Sequence, residues 1–148
     1  MRVVDASVFI DLLFEYNSDR TQCAEELFPS LEQKGLTVLE PDLFKVELTG
    51  QIARRVKKDQ AVKICEQIFQ ELAFINTHMI FDEALFVALE TGSRAADSFY
   101  IAAAKIEDAI LISNDGFQIE SAKKSGIEAY NLLLDKGLIK KRLTKIES

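Results

Sequence analysis

The chain has 148 residues, the size of one domain, and a chain this long can bury about 68–70% of its unfolded surface without a disulfide or metal staple. It is 48% hydrophobic and 28% charged with only 6 Gly and 2 Pro, which excludes a disordered or collagen-like chain. Its 18 basic and 24 acidic residues give a net charge of −6, which excludes an electrostatic coat protein for nucleic acid but not an enzyme that meets nucleic acid through bound cations.

Arg2–Val4 reads as a short buried strand ending at Asp5, and Ala6–Tyr16 as a helix with Ser7 near its start. Ser18 or Asp19 caps a second helix that runs to Lys34 and stops at Gly35. Leu36–Leu39 is the next expected strand, closed by Glu40-Pro41. Asp42–Lys57 and Gln60–Leu72 then read as a helical hairpin, followed by a short strand at Phe74–Asn76. His78, the one histidine, reads as an ordinary strand-end residue. Helices are expected over Asp82–Thr91 and Ala95–Glu107, with Gly92 between them. Ala109–Ser113 is the clearest strand. A helix over Phe117–Lys124 stops at Gly126, and Ile127–Tyr130 is the last expected strand. The remainder, residues 136–148, is a basic tail expected to attach loosely.

Alternating strands and helices with near-continuous apolar strands predict a parallel sheet covered on both faces. No apolar run approaches the length of a membrane span, and the opening MRVVDASVFI lacks the order of a signal peptide. Cys23 and Cys65 lie far apart with no CxxC or Cys/His cluster, which points to a reducing cytoplasm rather than a disulfide scaffold or zinc site. The segment Asp42–Leu72 has apolar residues on more than one face, including Leu43, Phe44, Leu48, Ile52 and Ile68. This surface, with Gly35–Glu40 nearby, is expected to build a twofold dimer.

Four carboxylates stand among apolar neighbours. Asp5 and Asp115 follow the ends of two expected strands, and ligands of open parallel sheets bind at the carboxyl ends of the strands where strand order reverses. Glu47 shares a helix stripe with Leu43 and Gly50, and Asp97 shares one with Tyr100, Ile101 and Ala104. A carboxylate on a core stripe is expensive unless it is paired, hydrogen-bonded or bound to a cation. Converging carboxylates without matching basic residues suit a hard divalent ion, Mg²⁺ or Mn²⁺. Each residue also has a plain reading: Asp5 as a helix cap, Asn114-Asp115-Gly116 as a turn, Glu47 as a stripe-edge residue reaching water.

In order along the chain, VVDASVFIDLL, PDLFKVEL, RAADSFYIAAA and LISNDGFQIESAKKSGIEAYNL resemble the PIN-domain nucleases, and are most similar to the small prokaryotic members typified by VapC toxins. The resemblance covers Arg2 to Leu132, so it divides the chain into a PIN-like domain over residues 1–135 and the basic tail. It implies a three-layer, helix-rich α/β/α sandwich with a central parallel sheet. It implies an endoribonuclease dependent on Mg²⁺ or Mn²⁺, a homodimer, and a small antitoxin partner. The family's acids map onto Asp5, Glu47, Asp97 and Asp115, its small polar residue onto Ser7, and its Ser/Thr-x-Asp motif onto Ser113-Asn114-Asp115. One departure is that Gly116, Phe117 and Gln118 follow the last Asp, where many relatives carry a further acid.

On this reading Asp5, Asp97 and Asp115 hold the metal, which lowers the pKa of a bound water toward neutrality, and Glu47 helps to orient that water or a second ion. Ser7, Ser113 and Arg94 are candidates to position an RNA phosphate, with helix capping and strand-end bonding as the plain roles of the two serines. The run Arg54, Arg55, Lys57 and Lys58 reads as a solvated face first and an RNA contact second. Rival readings are a catalytically silent PIN-like module that binds RNA or protein, and a housekeeping RNA-processing nuclease. An Asp-nucleophile phosphatase wants a second Asp where Ser7 stands. A dinucleotide binder wants a GxGxxG that does not follow the first strand.

Overall fold

The computed structural model describes residues 1–146, and the last two positions of the expected tail lie outside the described residues. The chain alternates as expected. Strand β1 (Arg2–Val4) leads through α1 (Ala6–Leu13) and α2 (Ser18–Gln33) to β2 (Leu39–Pro41). Helices α3 (Leu43–Ala53) and α4 (Lys58–Gln70) connect to β3 (Ala73–Ile75), and α5 (Thr77–Thr91) and α6 (Ala95–Ile106) to β4 (Ile110–Ser113). Helix α7 (Gly116–Lys124) precedes β5 (Ala129–Asn131), and α8 (Lys136–Ile146) closes the described chain.

All strand pairs are parallel. A three-stranded ladder has the order β1-β4-β5, a two-stranded ladder pairs β2 with β3, and a bridge from Arg2 to Val38 joins them into the spatial order 3-2-1-4-5. From β1 the chain steps one way to β2 and β3, then crosses back to β4 and on to β5. Right-handed crossovers therefore put α1–α4 on one face and α5–α7 on the other, the expected α/β/α sandwich. The packing agrees: α1 lies against α2 and α3, and α5 against α6 and α7. Strand order reverses between β1 and β4. Their register, Val4 opposite Ile112, brings Asp5 beside the end of β4.

The central strands are buried end to end, with Val3, Val4, Leu111 and Ile112 at 0% exposure, as a doubly covered sheet requires. A phenylalanine cluster fills the layer under α1–α4: Phe44 stacks edge-on to Phe9 at 5.0 Å and to Phe69 at 6.2 Å, and Phe74 joins them. Phe44, Leu48 and Ile52 are therefore buried, and Leu43, Ile68 and Phe69 pack against the core. Of the segment expected to dimerise, Phe44, Leu48 and Ile52 turn into the core, while Ile68 and Leu72 line an open hollow of about 580 Å³ with Gly35–Val38. A further exposed apolar stripe lies on α5, where Met79, Leu85, Phe86 and Leu89 are at least half exposed.

Four other expectations are corrected. The second strand starts at Leu39 rather than Leu36, because Gly35 takes φ +63° and Leu36 folds back to bond the Leu31 carbonyl. Helix α5 starts five residues before Asp82, because the Asn76 side chain accepts the His78 backbone N–H at 2.8 Å and caps it. His78 accordingly sits exposed in the first turn of a helix and not at a strand end. The described part of the tail is a packed helix, α8. Ile139 and Leu143 are 4% and 2% exposed, and their i, i+4 spacing points both at the core while the lysines remain outside. Among the described residues no helix is long and apolar enough to cross a membrane.

Candidate active site

The crevice at the carboxyl ends of β1 and β4 gathers the acids. Asp5 caps α1: its Oδ2 accepts the Ser7 backbone N–H at 3.1 Å and its Oδ1 accepts the Gln118 amide at 3.3 Å. Asp115 caps α7, accepting the Phe117 N–H at 3.0 Å. The helix-cap reading of Asp5 therefore holds, Asp115 caps a helix where a turn was expected, and each carboxylate still lines the crevice. Ser7 and Ser113 pin the two strand ends. The Ser113 hydroxyl accepts the Asp115 N–H at 2.9 Å, and the Ser7 hydroxyl accepts the Asn114 N–H at 3.3 Å, which ties α1 to the loop after β4.

Asp97 enters from the first turn of α6, where its side chain also favours the helix N-terminus. Arg94, which precedes that helix, bridges two acids: Nε lies 3.1 Å from Asp97 Oδ2 and Nη2 lies 2.8 Å from Asp115 Oδ2. Glu47 reaches in from α3, and its Oε1 accepts the hydroxyl of buried Tyr100 at 2.9 Å.

Burial first, and the neighbouring acids after it, raise the proton affinities. Burial raises the Asp5 carboxyl above its ordinary range, against the hydrogen bonds from Ser7 and Gln118, and the charge of Asp115 raises it further. Burial likewise raises Glu47, with Asp5 and Asp97 adding to it and the Tyr100 hydroxyl opposing. Asp97 is raised by burial in spite of Arg94, with Asp115 and Asp5 contributing.

Three residues that sequence reasoning passed over belong to the crevice. Glu40, at 0% exposure, accepts the Val4 backbone N–H at 3.1 Å through Oε1, and its Oε2 has no partner. Burial raises it well above its ordinary value, and Asp5 and Glu47 raise it too. Gln118, also fully buried, is itself part of the departure from the family pattern and bonds Asp5, with its Oε1 left unpartnered. Tyr100 holds Glu47. The signal for Glu40 was present, an acid inside the apolar run Val38-Leu39-Glu40-Pro41; Tyr100 and Gln118 carried none.

The donor set fits a hard divalent cation: it is all oxygen, burial and then its own neighbouring charges raise its proton affinities, and its one partnering guanidinium is 73% exposed. Among the described residues, no three acid, His or Cys side chains are drawn together around one point, because Asp97 and Asp115 turn toward Arg94.

A sequence model of the PIN domain matches residues 2–124. The chain belongs to the PIN domain family. No curated protein matches the sequence. Among solved structures, FitAcB from Neisseria gonorrhoeae is similar at 18% identity and a TM-score of 0.63, over 90% of this chain and 99% of that one. The sarcin–ricin-loop-cleaving toxin VapC20 of Mycobacterium tuberculosis is 16% identical at a TM-score of 0.66, over 86% of this chain and 96% of its own. VapBC2 from Rickettsia felis, solved bound to a DNA fragment from its promoter, is 16% identical at a TM-score of 0.63, over 88% and 97%. At these identities the likeness is one of fold, and the PIN fold is the one the sheet order 3-2-1-4-5 builds here.

Proposed function

We propose that this PIN domain is a Mg²⁺- or Mn²⁺-dependent endoribonuclease, the toxin of a toxin–antitoxin pair. The observation that carries the reading is that Asp5, Glu47, Asp97 and Asp115 line one crevice where strand order reverses, near enough to raise one another's proton affinities, with Arg94 bridging Asp97 and Asp115. PIN domains are in general nucleases, and solved relatives include an RNA-cleaving toxin and toxin–antitoxin complexes.

Asp5, Asp97 and Asp115 would hold the metal, which activates water for attack on phosphorus and offsets charge on the phosphate. The chain's own groups do the rest. Ser7 and Ser113 fix the ends of β1 and β4, so that Asp5 and Asp115 stay in register. Gln118 holds one oxygen of Asp5. Glu47, oriented by Tyr100, takes up or hands over the water's proton. Arg94 neutralises Asp97 and Asp115 and offers a guanidinium to a substrate phosphate. A silent binding module would not need all four acids. The apolar stripe of α5 would pair with a second copy, giving a homodimer that sedimentation would detect as twice the monomer mass.

The test is cleavage of RNA by the whole chain with Mn²⁺, lost in EDTA, with products lacking 2′,3′-cyclic phosphate because water and not the 2′-hydroxyl attacks. Undiminished cleavage in EDTA, or cyclic phosphate ends, would overturn the reading.

A further inference from the structure

The carboxylates explain the crevice but not the wall beside it. A cavity of about 560 Å³ opens alongside Asp115 and Ser7, and Arg20 of α2 and Arg55 of the α3–α4 turn line it. In a chain of net charge −6, next to a cluster of acids, two arginines on one wall run against the local trend. Both are fixed in place. Arg55 donates Nε to the Tyr16 hydroxyl at 2.7 Å and Nη1 to the Gln51 carbonyl at 2.6 Å, and it lies 5.3 Å from the Tyr16 ring. Arg20 pairs through Nε with Asp11 Oδ2 at 3.2 Å, and buried Asp11 also accepts the Asn114 side-chain amide. A guanidinium has five N–H donors, so this anchoring leaves each arginine with donors for a ligand.

The same cavity is lined by two aromatic rings that the core does not use. Tyr16 is 63% exposed and Phe117 is 82% exposed. Phe117 also lines a second cavity of about 400 Å³, which holds Arg94, Asp97 and Lys124. The ring therefore stands between two hollows at the edge of the acids, one holding Arg20 and Arg55 beside Asp11 and Asp115, the other Arg94 and Lys124 beside Asp97 and Glu120. Fixed cations beside exposed rings are the chemistry that takes single-stranded nucleic acid: cations for phosphates, rings for bases. An acidic protein segment would match the arginines but leave the rings without a function.

We propose that the cavity between α1, α2 and the α3–α4 turn is the track for the single-stranded RNA that flanks the scissile phosphate. Arg20 and Arg55 take backbone phosphates, and Tyr16 and Phe117 stack on bases. The inference rests on the nuclease reading and deepens it: the substrate is an unpaired strand gripped on the Asp115 side of the cut. It also gives one member of the basic run Arg54–Lys58 a role and leaves its neighbour Arg54 exposed and outside the cavity.

The test is fluorescence anisotropy of a labelled 12-nucleotide single-stranded RNA with the whole chain in EDTA, titrated over salt. Arg55→Ala is expected to weaken binding about tenfold and to flatten the slope of log affinity against log salt by about 0.7, one single-strand phosphate contact. Phe117→Ala is expected to weaken binding about tenfold through lost stacking, with the salt slope unchanged. Arg54→Ala removes the same charge one residue away and should change neither. If Arg55→Ala melts well below wild type, Arg55→Lys serves instead, keeping the charge and losing the fork that a phosphate matches. Binding and slope equal to wild type in the Arg55 and Phe117 variants, or a wild type that does not bind this RNA, overturn the track. Cleavage with Mn²⁺ by the wild type in that case leaves the nuclease reading standing. Conversely, Arg55-dependent binding without cleavage by the wild type supports the track and overturns the nuclease reading.

Discussion

The two ends of the sheet treat their acids differently. Near the amino end of β5, Glu128 meets Arg142, and on the outer face of α2 Glu26 meets Lys136, each acid with its own cation and each pair open to water. At the carboxyl ends, Asp5, Glu40, Glu47 and Asp97 are wholly or partly buried with raised proton affinities, and Arg94 is the cation that bridges Asp97 and Asp115. One-to-one exposed pairing is what acids do when they only keep a surface soluble, and it contributes little to stability. Buried crowding with too few cations lowers stability, and it persists where something absent from the free protein completes the charge balance. The contrast separates the acids that pair on the surface from those of the candidate site without reference to any relative.

Replacing a crevice acid is the strongest way to test that contrast. Asp5→Asn and Asp97→Asn keep shape and remove charge, and each is expected to lower Mn²⁺-dependent RNA cleavage by more than about a hundredfold, since even outer partners of metal ligands cost 10–100-fold. A cleavage assay with matched circular dichroism separates this from unfolding, and near-normal activity in Asp97→Asn would break the contrast.

Next in size is the response to pH and metal. The folded pKa values of Asp5, Glu40, Glu47 and Asp97 lie above their unfolded values, so the folded state holds more protons as pH rises from about 4. Metal-free protein should therefore lose stability as pH climbs from there through the raised values. Mn²⁺ at a hundredfold excess over its dissociation constant should restore about 2.7 kcal/mol, which for a domain this size is a melting rise of about 5–10 °C. Asp97→Asn should melt higher than wild type in EDTA and gain less from Mn²⁺. Arg94 keeps Asp115 as a partner in that variant, so no charge is stranded. A variant that melts lower in EDTA and gains as much from Mn²⁺ would assign Asp97 to structure alone.

Much of the site was legible because carboxylates violate the apolar pattern around them. Asp5 and Asp115 follow the ends of apolar strands, and Glu47 and Asp97 interrupt helix stripes. Glu40 breaks a strand in the same way, but Pro41 beside it reads as the close of a strand, and the structure puts both inside β2. Tyr100 and Gln118 were not legible. A tyrosine on a core stripe is indistinguishable from packing until its hydroxyl is seen to reach Glu47. A lone glutamine carries no periodic signal, and its amide meets Asp5 only after 113 residues of chain have folded. In the fold, the parallel sheet and both covered faces followed from the alternation, while the strand order did not. Helix α8 was hidden because its five basic residues drew the reading away from Ile139 and Leu143.

Tyr100 offers a finer test of how the crevice works. Tyr100→Phe removes the hydroxyl that opposes the raised proton affinity of Glu47, so the Glu47 carboxyl should ionise only at higher pH. If ionised Glu47 takes the water's proton, the acid limb of the cleavage-rate profile should move to higher pH in the variant. The stability change should stay at about 1 kcal/mol, the usual net worth of one hydrogen bond. An unmoved acid limb with lowered activity would reduce Tyr100 to packing.

The smallest expected effect lies at the other end of the sheet. Glu128 receives the Tyr130 hydroxyl and the Arg142 Nε, and the paired side chains are 42% and 33% exposed. Glu128→Gln keeps an acceptor for both donors and removes the charge. Water reaches the pair, and salt screens it over about 10 Å at 0.1 M, so the melting change should correspond to less than about 1 kcal/mol and shrink further as salt is raised. Neither RNA cleavage nor the melting rise with Mn²⁺ should change, because this acid lies at the opposite end of the strands from the crevice. Cleavage that falls with Glu128→Gln would mean that charge at the amino ends reaches the site through the sheet, and the division between fold acids and site acids would not hold. Equal cleavage with a salt-sensitive melting change of that size would place Glu128 among the surface pairs.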